Sequence, residues 1–329
     1  MLVKQVPDEA AVDAASNVLL RLGERCNHAC PMCTNTFRPE LEDVAVAEVL
    51  RRIDVVRALG FTRVVLTGGE PTIHPGFFAA AERLAEHGMP WDLNTHGRSF
   101  HRPDFAARAR RLGLDRAVVS LHGATPEVAN VMSGAPAVAF DQTVAGMRNL
   151  AAEGVGVTVN LVLSRLNIGA LDAWLELLHR ELGGEVIAKL CFPSLHSIGR
   201  DWAPVQLTLE EARRPLRRAA ERARDLGLAL QWESVPNCIS GDPAHPNIGR
   251  LGFGETHYLD DLRGDRLYAI AAVEAAIARY HDDCAGCAAF DRCPGVSDDY
   301  AACHGLHELV PFPTRAGAWW LAPGGPRCE

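Results

Sequence analysis

The chain has 329 residues, which at roughly 100 to 200 residues per domain means two domains, or one large domain with an appendage. Hydrophobic residues make up 48% and charged residues 22%, a soluble balance that excludes fibrous, collagen-like and largely disordered chains. The formal charge of -8 argues against a broad electropositive face that would grip nucleic acid, and no stretch approaches the roughly 18 apolar residues of a membrane span.

The first residues, MLVKQVPDEAAVDAAS, have no apolar core of the kind a signal peptide needs, so a cytoplasmic location and no membrane partner are expected. Residues 1–16 read as an N-terminal extension. From there the chain repeats a unit of short strand, turn and amphipathic helix. Expected strands run over Val18–Leu22, Arg63–Thr67, Trp91–Asn94, Ala117–Leu121, Val155–Val162 and Glu185–Cys191, each a short apolar run between turn residues. The clearest helix carries Val46, Val49, Leu50, Ile53, Val56 and Leu59 at helical spacing and stops at Gly60. Others run from Phe140 to Gly154 and from Asn167 to Gly183. Strands alternating with helices imply an α/β fold with a parallel sheet, doubly wound or curled toward a barrel, whose functional end is the C-terminal end of the strands.

Beyond residue 200 the pattern changes. Thr208 and Glu211 form a capping box for an Arg/Glu-rich helix that Pro215 is expected to kink or restart. Its arginines, Arg213, Arg214, Arg217, Arg218, Arg222 and Arg224, read as a solvated face. A seventh strand is expected over Leu228–Ser234, an irregular segment over Pro236–Leu262, and a helix over Arg266–Tyr280.

Ten cysteines without an export signal point to metal or redox chemistry rather than to disulfides. Cys26, Cys30 and Cys33 follow the first strand in a C-x3-C-x2-C pattern. Three thiolates at that spacing can hold one face of an iron-sulfur cube and leave one iron open, which marks a reactive site. Zinc, with His28 as fourth ligand, is the alternative. Thr67-Gly68-Gly69-Glu70-Pro71 closes the second strand; its glycines admit close approach of a ligand to the backbone, and Glu70 offers a carboxylate to an ammonium. Near the other end, Cys284, Cys287 and Cys293 with Cys238 upstream supply four thiolates, enough to ligate a second cluster fully. A zinc knuckle is the competing reading there, and His281 is able to replace Cys238 in either.

The pairing of Cys26/Cys30/Cys33 with Gly68-Gly69-Glu70-Pro71 resembles the radical S-adenosylmethionine (radical SAM) enzymes, over about residues 16–200. The resemblance implies a partial (β/α)6 TIM-like barrel over residues 17–205, a [4Fe-4S] cluster on the three cysteines, and SAM chelated to its open iron. The Gly68, Gly69, Glu70 and Pro71 turn would then position the methionine ammonium. Ser120-Leu121-His122-Gly123 is similar to a family segment whose Ser contacts SAM, so Ser120 and, on the fifth strand, Asn160 are candidate SAM contacts. Met32 stands where the family usually has an aromatic residue and is expected to pack against adenine. Residues 206–329 resemble the auxiliary-cluster domains called SPASM and twitch; with Ser at position 297 the single-cluster twitch type fits better, and implies a second [4Fe-4S] cluster on Cys238, Cys284, Cys287 and Cys293.

The cofactors so implied deliver a 5′-deoxyadenosyl radical that abstracts hydrogen from carbon, with a reductant such as flavodoxin or ferredoxin as partner. Oxidation, epimerisation and bond formation are not distinguished by these motifs, and no catalytic residue is assigned beyond the cluster and SAM site. Cys191, Cys303 and Cys328 read as packing or exposed thiols, with hydrogen donation to a substrate radical as the alternative. His304, His307 and Glu308 read as caps rather than ligands, His74 and His96 as loop hydrogen-bonders or ligand contacts, and Trp319 and Trp320 as anchors of the tail. Because only about 15 residues precede the first strand, a small molecule such as a sugar, aminocyclitol or nucleoside is expected as substrate, with a peptide-modifying maturase as runner-up. A non-catalytic iron-sulfur or zinc protein is the reading from another class.

Overall fold

The computed structural model describes residues 17–33, 43–193, 205–244, 256–260 and 266–313. The N-terminal extension, Cys328, Trp319 and Trp320 lie outside the described residues. In chain order the elements are β1 (Asn17–Arg21), α1 (Val46–Ala58), β2 (Arg63–Thr67), α2 (Phe77–Glu86), β3 (Trp91–Thr95), α3 (Pro103–Arg111), β4 (Leu114–Ser120), α4 (Pro126–Ser133), α5 (Ala139–Ala152), β5 (Gly156–Val162), α6 (Leu171–Leu182), β6 (Ile187–Cys191), α7 (Leu209–Asp225) and β7 (Ala229–Glu233). There follow α8 (Asn237–Ser240), β8 (Thr256–Asp260), β9 (Arg266–Ala269), α9 (Ile270–Ile277), β10 (Ala278–Arg279), β11 (Val296–Ser297) and α10 (Asp298–His304).

Among the described residues the main sheet has nine strands in the order β7-β6-β5-β4-β3-β2-β1-β8-β9. Every neighbour from β7 to β8 is parallel, and only β9 runs antiparallel. Strands covered on both faces must be apolar on both, and Val64, Val65 and Leu66 of β2 are all buried. The helices bury one stripe each, as in Val49, Ile53 and Val56 of α1. The result is the α/β architecture of a partial TIM-like barrel. Its N-terminal end is closed by charge: Asp92 accepts from Arg63 at 2.8 Å and from Arg116 at 2.6 Å. Its C-terminal end is left open, and there the loops converge.

The structure revises three local expectations. The helix capped by Thr208 runs unbroken through Pro215, because Leu209, Ala212, Leu216, Ala219 and Ala223 make a continuous buried stripe that offsets the lost backbone hydrogen bond. Residues 266–269, expected to be helical, instead pair as β9 with β8, placing Tyr268 opposite Tyr258 and Leu267 opposite Leu259. The segment expected to be irregular contains α8 and β8, and β8 extends the barrel sheet beyond β1. The arginine face of α7 is solvated as expected, and two of its arginines also pair with α6: Arg218 meets Asp172 at 3.0 Å and Arg222 meets Glu176 at 2.7 Å.

Candidate functional site

The loop that follows β1 carries the first cysteine group, and backbone contacts strap it down from two sides. The Gly69 amide donates to the Gly23 carbonyl at 2.8 Å and the Glu70 amide to Arg25 at 2.9 Å. From the other side, the Ala29 amide donates to Ser133 at the end of α4, at 3.0 Å. The approach is so close that a Cβ on Gly69 would lie 2.3 Å from the Arg25 oxygen, and one on Gly68, whose φ is +144°, 2.4 Å from the Gly23 oxygen. The space a side chain would take at the two glycines is thus filled by the cysteine loop's own backbone, while both residues border the cavity on their other side.

Glu70 is buried and works inward. One carboxylate oxygen accepts from the Thr72 hydroxyl at 2.6 Å and the Thr95 hydroxyl at 2.7 Å, the other from the His96 amide at 2.9 Å. Glu70 thereby fixes the loop after β3, and His96 in turn meets Asn27 of the cysteine loop at 2.6 Å. The rings of His96 and His28 stack with centroids 4.0 Å apart. His28 Nε2 is buried with no partner, and burial holds this imidazole neutral, with its pKa lowered to about 2. His74 settles as a loop hydrogen-bonder, bound to Val44 O at 2.9 Å and accepting from the Gly76 amide at 3.0 Å.

These elements enclose a cavity of about 510 Å³ at the C-terminal end of the barrel, within the range of roughly 300 to 1,000 Å³ usual for ligand sites. Cys26, Cys30 and Cys33, the Gly68-Gly69-Glu70 turn, Ser120 and Asn160 all border it. Pro71 sits in the short helical turn just behind. Ser120 and Asn160 are register partners at the ends of β4 and β5, and the Asn160 Oδ1 is buried without a partner. Met32 also borders the cavity and packs from behind with Met132. Burial pushes the Cys26 thiol up to about 11 and the Cys30 thiol up to about 12, with neighbouring cysteines adding to both. Thiols in that state are held protonated unless positive charge arrives with a metal.

Sequence reasoning weighed Cys191 of β6, which borders the same cavity, but missed Lys189 on that strand, Glu233 of β7 and Tyr258 of β8, which border it too. The signal was present: a lysine in IAKLC and a glutamine and a glutamate in ALQWE interrupt strands that are otherwise apolar, on the face that a barrel turns inward.

His122, at the cavity edge, is wholly buried, and its Nδ1 accepts from the Val162 amide at 3.1 Å. Burial lowers its pKa to about 4, so the folded protein keeps it neutral while the unfolded chain takes up a proton below about 6.5. Stability is therefore lost as pH falls from about 6.5 toward 4, by about 2 kcal/mol between pH 6.5 and 5. His122→Gln is expected to flatten the pH dependence of urea unfolding by about one proton over that window. An unchanged slope would refute the assignment.

The second cysteine group forms a separate, closed site. Cys238 of α8 and Cys284, Cys287 and Cys293 line one small cavity of about 20 Å³, with Tyr280 and Phe290 beside them. Cys238 stands there rather than His281, whose ring accepts from the Asp283 amide at 3.2 Å. Two arginines of α7 brace it, Arg213 and Arg217 each donating to the Cys238 carbonyl at 3.1 Å. Glu308 caps α7, accepting from the Glu210 amide at 3.2 Å and from the Tyr300 hydroxyl. Cys303 is exposed on α10. Among the described residues no three His, Cys, Asp or Glu side chains gather tightly enough to hold a single metal ion, and no helix is long and apolar enough to cross a membrane.

The family model of the Radical SAM superfamily matches residues 20–178. Among curated proteins, the PqqA peptide cyclase of Ruegeria pomeroyi is 29% identical over 251 residues, covering 75% of this chain and 65% of its own length. The mycofactocin maturase MftC of Mycobacterium tuberculosis is 29% identical over 174 residues, covering 52% of this chain. The chain spans 44% of that relative's length, so both relatives are substantially longer than the part matched. Among solved structures, Streptococcus suis SuiB bound to S-adenosylmethionine shares the fold with a TM-score of 0.63 at 11% identity, over 92% of this chain and 76% of that one.

Proposed function

Since residues 20–178 carry a radical SAM domain, we propose that the chain is a radical SAM enzyme that modifies a peptide. The observation that carries the reading is the shared cavity: three thiols from one loop, the Gly68-Gly69-Glu70 turn, Ser120 and Asn160 all face the same space at the open end of the barrel. The expectation of a small-molecule substrate rested on the short segment ahead of β1, and that says nothing about a leader-binding chain supplied separately. The names of the relatives, a peptide cyclase and a maturase, weigh toward the runner-up.

The residues fit the cofactors that a radical SAM domain implies. Cys26, Cys30 and Cys33 are soft donors in a buried pocket that disfavours free thiolates, and a cationic cluster removes that penalty. The orphaned Asn160 Oδ1, with Ser120 opposite it in register, supports these two as acceptors for hydroxyl or amino groups of SAM. Gly68, Gly69, Glu70 and Pro71 would present their turn to its methionine end, while the Glu70 carboxylate holds the turn rigid from behind. When bound, the [4Fe-4S] cluster and SAM supply a one-electron reductive cleavage that delivers a 5′-deoxyadenosyl radical. The chain's own part is to hold substrate against that radical and keep out water, with flavodoxin or ferredoxin as the electron source.

Cys238, Cys284, Cys287 and Cys293 would hold a second [4Fe-4S] cluster. Four thiols around an enclosed space leave no open coordination position, in contrast to the three at the large cavity.

The test is anaerobic reconstitution with iron and sulfide, followed by SAM and dithionite. About eight irons per chain together with 5′-deoxyadenosine support the proposal. Zinc in the purified protein with no SAM cleavage after reconstitution sinks it and leaves a metal-stapled binding protein.

A further inference from the structure

The far wall of the large cavity holds charge that neither cluster nor SAM accounts for. Lys189 Nζ and a Glu233 carboxylate oxygen form an ion pair between β6 and β7, with side chains 14% and 32% exposed and both facing the cavity. Burial works against the Lys189 ammonium, yet Glu233, then Cys191 and Glu274 of α9, more than offset it and keep it charged. Glu233 is held ionised chiefly by Lys189. An enclosed ion pair of this kind is a poor device for stability, since well-packed apolar residues usually serve a barrel wall as well or better.

A second observation points to a ligand. Gln231 is the register partner of Lys189 on β7, on the same face as Glu233, and its Oε1 is buried with no hydrogen-bond partner. On the other side of Lys189 stands Asn160, whose Oδ1 is likewise unsatisfied. The wall bordering the cavity therefore offers one ammonium donor between a carboxylate and the Asn160 oxygen, with Gln231 behind it and outside the lining. A group that fills it must both accept from Lys189 and donate a hydrogen to the oxygens around it. A pair of sugar hydroxyls meets that demand too; the peptide reading above selects one residue of an extended peptide, whose own N–H and C=O lie on the same edge of the backbone.

We propose that Lys189 and Glu233 form the substrate subsite of the cavity and take the backbone N–H and C=O of one residue of an extended peptide substrate. Lys189 donates to that carbonyl, and Glu233 accepts from that N–H. The residue to be modified is thereby held across the barrel from Cys26, Cys30 and Cys33. The inference rests on the peptide reading above and adds to it the residues that do the reading.

The test measures retention of defined probes by reconstituted protein with SAM, using size-exclusion separation and mass spectrometry. One pool holds tripeptides acetylated and amidated at their ends, so that only amide groups and side chains are available; the other holds nucleosides and amino sugars. Removing Lys189 alone strands a buried carboxylate and threatens the fold, so the variant is the double replacement Lys189→Met with Glu233→Leu, checked for an undiminished melting temperature. Lys189→Arg serves as a conservative rescue. The expected result is retention of peptides by the wild type, at least about tenfold weaker in the double variant and partly restored in Lys189→Arg. Equal peptide retention by wild type and double variant overturns the subsite while leaving the peptide reading intact. Retention of nucleosides or amino sugars in place of peptides overturns both, and failure of the wild type to retain any peptide overturns the subsite.

Discussion

Cys30→Ser is expected to lower 5′-deoxyadenosine formation by more than about 100-fold, beyond what loss of an outer partner of a metal site usually costs. The same variant should lose about half of the iron bound by the reconstituted wild type. Cys30 is the most telling of the three because its thiol points at the Ser133 carbonyl 3.5 Å away. Ser is close to Cys in shape and hydrogen-bonds the same carbonyl, so the barrel should melt as before. What Ser cannot do is become an anion at neutral pH in a pocket that already pushes a thiol up to about 12. Cys303→Ser on the exposed face of α10 should change neither iron nor turnover. If Cys30→Ser keeps its iron and its 5′-deoxyadenosine, the first cysteine group is not the cluster site. Should Cys303→Ser behave like it, the loss reflects general thiol chemistry.

Much of the barrel was legible in the sequence because a parallel sheet covered by helices writes itself in two periods, apolar strands and helical stripes. β2 matches the expected Arg63–Thr67, and β1 to β7 each fall within a few residues of where the runs placed them. Helix α7 was legible at its start, where the Thr208 and Glu211 capping box is present in full, but not in its course, since Pro215 is overruled by a buried stripe that only the packed α6 and α8 reveal. The region after Pro236 was not legible. Residues 256–260 and 266–269 gain their strand character from pairing with β1 and with one another, and that long-range contact leaves no local period. In the site, the cysteines and the Gly68-Gly69-Glu70 turn announce themselves by spacing, whereas Lys189 and Glu233 appear as single polar interruptions whose meaning depends on the sheet curling. The two glycines were legible as special but only half explained, because the body that fills the space beside them is another stretch of backbone.

That correction makes Gly69→Ala the sharpest test of how the site is built. A methyl group at position 69 would lie 2.3 Å from the Arg25 oxygen and 2.4 Å from the Glu24 oxygen, both backbone atoms that have no rotamer by which to step aside. Relief requires the turn and the cysteine loop to part, which breaks the bonds from the Gly69 amide to Gly23 and from the Glu70 amide to Arg25. At roughly 1 kcal/mol for each bond, and one or more for the overpacking itself, the cost is about 3 kcal/mol. For a domain of this size that lowers the melting temperature by about 6 to 12 °C. The functional loss should be larger than the stability loss suggests, because Cys26 follows Arg25 directly and Glu70 ties the same turn to Thr95 and His96. A displacement of about 1 Å at a reacting centre costs on the order of 100-fold, so 5′-deoxyadenosine formation should fall by that much at temperatures where the variant is still folded. Gly169→Ala is the matched control: nothing lies within 4 Å of its Cβ position, so melting temperature and turnover should stay at wild-type levels or rise slightly. If Gly69→Ala instead melts and turns over like Gly169→Ala, the glycine pair is not the clamp between the second strand and the cysteine loop, and the close approach of a ligand regains its place as the reason for it.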